Sequence, residues 1–199
     1  MRAQRKLPNS FYARPVLTVA RDCIGKILVR RTPEGVTGGR IVESEAYRGP
    51  LDRAAHSSRG RTKRTEAMFG PPGRAYVYLL YGISWAFNIV VAREGEPHAV
   101  LVRALEPVMG LDLMAARRNF PVDARLLTNG PGKLCQALGI TRDDYARDLT
   151  GDDLYLLDGD CGKIARSPRI NVDYAGDWAA RPWRFYERGN RFVSVPPRS

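Results

Sequence analysis

Long apolar runs are missing from this 199-residue sequence. No segment approaches the roughly 20 consecutive apolar residues that a membrane-spanning helix needs, and the N-terminus lacks the apolar core of a signal peptide. We therefore expect a soluble, cytoplasmic protein without a membrane partner.

Cysteine is also scarce. Cys23, Cys135 and Cys161 are odd in number, far apart and outside any CxxC or CxxH grouping. Such spacing argues against a disulfide scaffold and against a zinc site. The sequence thus predicts a reducing compartment and no bound metal.

Acidic residues are in the minority, since 32 Lys and Arg residues stand against 21 Asp and Glu residues, which gives a net charge of +11. This excess favours a polyanionic partner. The segment from Arg48 to Arg93 holds eight basic and two acidic residues and is a candidate polyanion-binding face. The segment from Asp143 to Asp160 holds seven aspartates and one arginine. We expect this acidic segment to face solvent, away from phosphates.

The rest of the composition, with 44% hydrophobic and 27% charged residues, is that of a folded chain whose length fits a single domain, residues 1–199. Hydrophobic periodicity predicts helices over 16–24, 111–119 and 133–138, and strands over 26–31, 40–47, 75–80, 86–92, 99–105, 154–157 and 183–187. Successive strands joined by short turns favour antiparallel pairing. We therefore predict the α+β class, with a mainly antiparallel sheet and flanking helices.

The strand predicted over 40–47 carries the most informative polar residues. Period two places Glu43, Glu45 and Tyr47 on one face, with Ile41 deeper on the same side. Two carboxylates and a phenol on one face, just before a Gly-Pro loop, indicate a functional site. The alternative is the solvent-exposed face of an edge strand.

Aromatic residues form a second candidate cluster. Tyr76 and Tyr78 share one face of the next strand, and Tyr81 precedes Gly82 at a predicted hairpin tip. A tyrosine there can wedge between stacked bases, or it can simply cover the core. His56, in a loop between arginines, is either a ligand-binding residue or an ordinary surface histidine.

Two polar residues interrupt apolar strands. Asn88 either lines a pocket or only satisfies backbone groups. Arg103 requires a carboxylate or a phosphate nearby, and Glu43 or Glu45 could provide a structural ion pair.

Together these segments resemble the alkyladenine (3-methyladenine) DNA glycosylase family, from about residue 7 to residue 195. The motifs that carry the resemblance are Ile41–Tyr47 (IVESEAY), Ala54–His56 (AAH), Tyr76–Gly82 (YVYLLYG) with Asn88, Leu101–Pro107 (LVRALEP), Asn129–Lys133 (NGPGK) and Tyr174–Trp178 (YAGDW). The resemblance implies a compact domain with a curved sheet, from which a β-hairpin projects into the DNA minor groove.

The resemblance also implies a role for each candidate residue. Glu45 would be the general base that activates water. Arg103, together with Glu45, would hold the water-binding end of the site. The flipped base would lie in a pocket of Tyr47, His56 and Tyr78, with the two tyrosines stacked on its opposite faces. Asn88 would border this pocket and disfavour guanine by crowding its amino group, and Tyr81 would fill the gap left in the duplex.

The implied activity is monofunctional excision of alkylated or deaminated purines, such as 3-methyladenine, hypoxanthine and ethenoadenine, which starts base excision repair. We expect a monomer that acts on double-stranded DNA, near the nucleoid in a bacterium, with no cofactor, no metal and no bound nucleotide cofactor.

Two other functions compete with this one. A noncatalytic binder of bent or damaged duplex would use the same basic face. A glycosylase with lyase activity would need an amine in the pocket, but none of the five lysines lies in the pocket motifs. The sequence departs from mammalian members at Asn171 and Asp173, where those members have glycines, so the range of lesions stays open.

Overall fold

Four α-helices and eight strands are formed by residues 5–122 and 125–195, the parts of the chain described by this computed structural model. The helices are α1 (Asn9–Tyr12), α2 (Val16–Asp22), α3 (Leu111–Arg118) and α4 (Pro131–Leu138). The strands are β1 (Ile27–Thr32), β2 (Gly35–Arg48), β3 (Ala75–Leu80), β4 (Ser84–Val91), β5 (His98–Met109), β6 (Leu154–Leu157), β7 (Ile164–Ser167) and β8 (Arg184–Glu187). None of the described helices is long and apolar enough to cross a membrane.

The strands form one antiparallel sheet in the order β3-β4-β5-β2-β1-β6. The long strand β2 is its centre, because β2 pairs with β5 on one side and with both β1 and β8 on the other. Strand β7 pairs with β8. The α+β class with a mainly antiparallel sheet, predicted from the sequence, is therefore confirmed.

One face of the sheet carries the main apolar core. Helices α2 and α4 pack against β2, β4 and β5 there, and the buried cluster includes Ile24, Ile41, Phe87, Leu105 and Leu134. The other face of β2 buries charged side chains instead. The apolar core thus supports the central strands from behind and leaves their opposite face available for polar groups.

The bounds of several elements differ from the prediction. Strand β2 begins at Gly35 rather than Arg40, α2 ends at Asp22, and both α1 and β7 were missed. The glycines at 38 and 39 explain the short prediction for β2, because they lack strand propensity. They are nevertheless paired within the sheet, with β5 so close to Gly39 that an added Cβ would lie 2.8 Å from Leu105 Cβ.

The acidic segment also contains one wrong prediction, since Asp144 is fully buried. Its carboxylate pairs with Arg30 at 2.9 Å and with Arg147 at 2.7 Å, and it accepts a hydrogen bond from the Thr141 backbone. Two arginines and a capping interaction compensate the loss of hydration, which a count of charges along the chain does not reveal. The other aspartates of the segment are exposed or partly exposed, as predicted.

Candidate active site

A β-bulge in β2 decides which side chains reach the site. The pairing of β2 with β5 shifts between Ile41 and Glu43, so that strict alternation is interrupted there. Ile41 consequently packs in the main apolar core, and its predicted position on the same face as Glu45 is wrong. Glu43, Glu45 and Tyr47 do share the opposite face, as predicted, and Glu43 and Glu45 are both fully buried.

Glu45 is surrounded by hydrogen-bond donors. Its Oε2 accepts from the Tyr47 hydroxyl at 2.7 Å and from Arg103 Nη1 at 3.4 Å, and its Oε1 accepts from the Ile170 backbone N–H at 2.8 Å. A carboxylate oxygen has two acceptor positions, so Oε1 retains one for a further donor such as water. This arrangement suits an ionised carboxylate that accepts a proton during a reaction.

Arg103 joins the two glutamates. Its Nε donates to Glu43 at 3.1 Å while its Nη1 reaches Glu45, so both candidate partners named from the sequence are used. Glu43 is also bound by Arg184 Nε at 2.7 Å and by Ser194. Glu43 is thus satisfied by structural contacts. Arg103 Nη2 has no protein acceptor among the described residues, and Arg103 lines the adjacent cavity.

The cavity has a volume of about 590 Å³ and opens beside these charges. It lies between strands β3–β5 and the segment 170–174. Its lining includes every pocket and wedge residue predicted from the sequence, namely Tyr47, His56, Tyr78, Tyr81 and Asn88, together with Arg103. Glu45 is not among the lining residues, but it is hydrogen-bonded to three of them, Tyr47, Arg103 and Ile170. The predicted residues are therefore brought together in space.

His56 and two tyrosines form the aromatic wall of the cavity. His56 Nδ1 lies 2.9 Å from the Tyr76 hydroxyl, and the His56 and Tyr78 ring centroids are 4.5 Å apart at an interplanar angle of 75°. Burial, and then the positive charges of Arg64 and Arg59, lower the pKa of His56 to about 4. The imidazole is therefore neutral at physiological pH, with one ring nitrogen that can donate and one that can accept.

The tyrosines of the site keep their protons. Burial, followed by the charge of Glu45, raises the pKa of Tyr47 well above its ordinary value, and burial raises the pKa of Tyr76 to about 12. Tyr47 is thus a permanent donor to Glu45. Its ring also lies 4.8 Å from the Arg169 guanidinium carbon, which fixes its orientation.

Asn88 combines the two roles considered from the sequence. Its Nδ2 donates to the Tyr76 carbonyl at 3.1 Å across the β3–β4 pair, and the residue also lines the cavity. The backbone contact therefore fixes the amide as part of the cavity wall.

Tyr81 occupies the turn between β3 and β4, as predicted. Its φ is +51° and that of Gly82 is +73°, both in the left-handed region that a tight turn requires. Tyr81 and Ile83 are 76% and 86% exposed, so the turn presents two apolar side chains to solvent, and Tyr81 also lines the cavity.

A buried ion pair that sequence reasoning missed holds the site together. Arg169 Nη1 and Nη2 donate to the two oxygens of Asp52 at 2.5 and 2.9 Å, and both side chains are fully buried. The pair ties the loop after β2 to the segment that supplies Ile170 and Asn171. No local pattern marked Arg169, because its partner lies 117 positions away.

Comparison with known proteins agrees with the resemblance seen in the sequence motifs. The model of the methylpurine-DNA glycosylase family matches residues 10–191. The chain belongs to this family. The resemblance inferred from the motifs is therefore confirmed. Methylpurine-DNA glycosylases hydrolyse the N-glycosidic bond in damaged DNA, so the chain is a hydrolase of DNA repair.

Relatives match over almost the whole chain. A protein of Anaeromyxobacter dehalogenans (strain 2CP-1) is 51% identical over 195 residues, covering 96% of this chain and 87% of the relative. One of Methanocella arvoryzae is 49% identical over 190 residues (94% and 95%), and one of Clostridium acetobutylicum is 44% identical over 200 residues (96% and 98%). All three are named "Putative 3-methyladenine DNA glycosylase".

Proposed function

We propose that the protein is a monofunctional DNA glycosylase that flips alkylated or deaminated purines, of the 3-methyladenine, hypoxanthine and ethenoadenine class, out of duplex DNA and hydrolyses their N-glycosidic bond. The observation that carries this proposal is a buried carboxylate, Glu45, that accepts hydrogen bonds from three residues lining an aromatic cavity. It would act as a monomer through one domain spanning the chain, near the nucleoid in a bacterium, without a cofactor.

In the reaction, Glu45 is the general base. Water bound at its free acceptor position attacks C1′ of the sugar, a proton passes from water to the carboxylate, and the electron pair of the C1′–N bond leaves with the base. The negative charge of Glu45 also stabilises the positive charge that develops on the sugar. Arg103 holds the carboxylate and directs its free Nη2 toward the water.

The cavity selects the base. Tyr47 and Tyr78 would contact its two faces, and His56 would contact its edge through a ring nitrogen. Asn88, held by its bond to the Tyr76 carbonyl, would crowd the exocyclic amino group of guanine. A cationic methylated purine leaves as a neutral base, whereas hypoxanthine must gain a proton as it leaves, so neutral lesions depend more strongly on contacts to the base.

Tyr81 would replace the flipped base in the stack. Removing a base from the duplex costs a few kcal/mol, and insertion of an exposed aromatic ring offsets part of this cost. The solvent exposure of Tyr81 beside the cavity mouth supports this role.

The decisive experiment is single-turnover release of free base from duplex oligonucleotides that carry 3-methyladenine, hypoxanthine or ethenoadenine, in EDTA. Glu45→Gln should retain lesion binding and lose excision by a factor of at least about 100, the range of general-base catalysis. Glu106→Gln, which removes a carboxylate outside the cavity, should excise at the wild-type rate.

Three results would contradict parts of this function. Tight duplex binding without any base release by wild type would favour the noncatalytic binder. Excision by Glu45→Gln at the wild-type rate would reject the assigned base. Borohydride trapping of a covalent complex would establish a lyase, although the described residues that line the cavity include no lysine.

A further inference from the structure

A second cavity of about 330 Å³ adjoins the first and plays no part in the chemistry described above. It is formed by the loop from Arg53 to Thr65 and by Tyr174. Four residues line both cavities: Ala54, His56, Arg64 and Tyr174. The two cavities therefore share part of their walls, to which His56 and Tyr174 belong.

The residues that line the second cavity favour binding of an anion. Arg53, Arg59 and Arg64 line it, together with the hydroxyl-bearing residues Ser58 and Thr62, and no carboxylate is among its described lining residues. None of the three arginines forms an ion pair within the described parts of the chain, whereas the neighbouring Arg61 is paired with Glu66 at 2.7 Å. Three uncompensated guanidinium groups around one concavity attract a phosphate and can bind it through paired N–H donors.

We propose that this arginine cavity binds a phosphate group of the DNA backbone next to the nucleotide that enters the base cavity, an inference that rests on the glycosylase function proposed above. The shared wall makes one bound strand segment fill both spaces, with the base on one side of His56 and the phosphate on the other. Tyr174, 70% exposed, borders both spaces and would contact the sugar between them.

Binding of an anion in the arginine cavity should change the pKa of His56. The positive charges of Arg64 and Arg59 oppose protonation of its imidazole, while the neighbouring Tyr76 and Tyr78 carry no charge. An anion bound between the arginines offsets their charge and makes protonation of His56 easier. The protonation of His56 therefore reports whether an anion is bound in the arginine cavity, and this measurement does not require catalysis.

The first test uses the two histidines of the chain, His56 and His98, of which only His56 lines the cavity. Imidazole resonances are titrated between about pH 3.5 and 8 with inorganic phosphate as the probe, and with chloride at the same ionic strength as the control. Phosphate should raise the pKa of His56 and leave that of His98 unchanged. An equal effect of chloride, or no effect of phosphate on His56, would overturn the proposal.

The double variant Arg53→Gln, Arg59→Gln should abolish the response to phosphate. Its matched control is Arg31→Gln, which removes an exposed arginine on β1, separated from β3 in the sheet by β2, β5 and β4. A phosphate response of His56 that survives in the double variant would show that these arginines do not form the site.

The second test identifies the source of the phosphate. Each backbone phosphate near the lesion is replaced in turn by an uncharged methylphosphonate, and duplex binding is measured for wild type and for the double variant. At one position the replacement should weaken wild-type binding about tenfold, the loss expected for charge-assisted hydrogen bonds, and should leave the double variant unaffected. Equal losses for both proteins at every position would mean that the cavity takes only free phosphate.

Failure of the glycosylase function is recognised separately. If wild type releases no base yet shows the phosphate response, the phosphate site is supported and the proposed reaction is rejected. If wild type releases base and the pKa of His56 does not respond to phosphate, the proposed reaction is supported and the phosphate site is rejected.

Discussion

At the scale of single residues, the carboxylate of Glu45 depends on donors from three separate parts of the chain. Tyr47 lies two positions away on the same strand, Arg103 lies on β5, and the Ile170 N–H comes from a late segment. Each donor restricts the rotation of the carboxylate. The orientation of this one carboxylate thus reflects the whole tertiary structure.

Tyr47→Phe removes one of these donors and keeps the ring that faces the cavity. Loss of a hydrogen bond to a charged group costs about 1.5–3 kcal/mol, so single-turnover excision should fall about 10- to 100-fold. Lesion affinity should change little. Tyr78→Phe is the matched control, because the Tyr78 hydroxyl has no bond to Glu45, and an equal loss in both variants would contradict this role of the Tyr47 hydroxyl.

His56 predicts how stability depends on pH. Its pKa is lowered from 6.5 to about 4 by burial and by Arg64 and Arg59, so the unfolded chain binds a proton between these pH values that the folded protein does not. The free energy of unfolding should therefore decrease as the pH falls through this window, by no more than about 3.4 kcal/mol from this residue. Urea denaturation at several pH values should show a weaker dependence in His56→Gln, and parallel curves would contradict the assignment.

Sequence reasoning succeeded for residues whose partners lie within a few positions or whose polarity breaks an apolar pattern. Glu45 and Tyr47 follow from strand alternation, and Arg103 stood out in an apolar strand. The Ile170 contact could not be found in this way, because a backbone N–H leaves no mark on residue identity. Ile41 was misplaced because one bulge reverses the alternation.

At the scale of elements, the β3–β4 hairpin connects the cavity wall with an exposed turn. Its strands place Tyr76 and Asn88 in the cavity wall, and its turn exposes Tyr81 and Ile83. The same two strands are anchored to the sheet through β5. The tip is therefore held on a fixed support rather than on a long loop.

Tyr81→Ser should impair excision from a well-paired duplex more than excision of the same lesion opposite an easily opened mismatch. The reason is that the aromatic ring offsets an unstacking cost of a few kcal/mol, which a mismatch has already reduced. Single-turnover rates on the two substrates measure this difference. Ile83→Ser tests whether the effect belongs to the aromatic ring, and equal losses on both substrates would argue against a wedge.

Elements with dense apolar and aromatic residues were predicted best. The bounds of β3 and β6 were predicted as observed, because their apolar and aromatic residues are dense. Strand β7 was missed because its four residues are largely exposed and carry little apolar pattern. Its existence depends on pairing with β8, which is a tertiary contact.

At the scale of the whole molecule, the basic segment from Arg48 to Arg93 supplies three arginines that line the cavities, Arg53, Arg59 and Arg64. Of the eight basic residues from Arg48 to Arg93, Arg61 pairs with Glu66 and Arg74 with Asp148, which leaves six exposed without an ion pair among the described residues. The acidic segment is partly neutralised by its own contacts, such as those of Asp144. The six exposed basic residues of this segment are therefore the candidates for contact with DNA phosphates.

Binding to undamaged duplex should depend steeply on salt. If the six exposed basic residues each neutralise one phosphate, the logarithm of the binding constant falls with the logarithm of salt concentration with a slope of magnitude about 5. Arg64→Gln should reduce this magnitude by about one. Lys6→Gln should leave it unchanged, because Lys6 is paired with Asp152, and a wild-type slope below about 2 would contradict the basic face.

The buried pair of Asp52 and Arg169 has a consequence for how the enzyme is made. Asp52 and most residues that line the cavity are synthesised before Arg169. Arg169, the Ile170 donor to Glu45 and the lining segment 170–174 are synthesised after them. A nascent chain that ends before Arg169 leaves Asp52 without its counter-charge and the cavity open on one side. The growing polypeptide therefore lacks a complete site until residues 169 and 170 have been synthesised, and only then can it release a base from DNA.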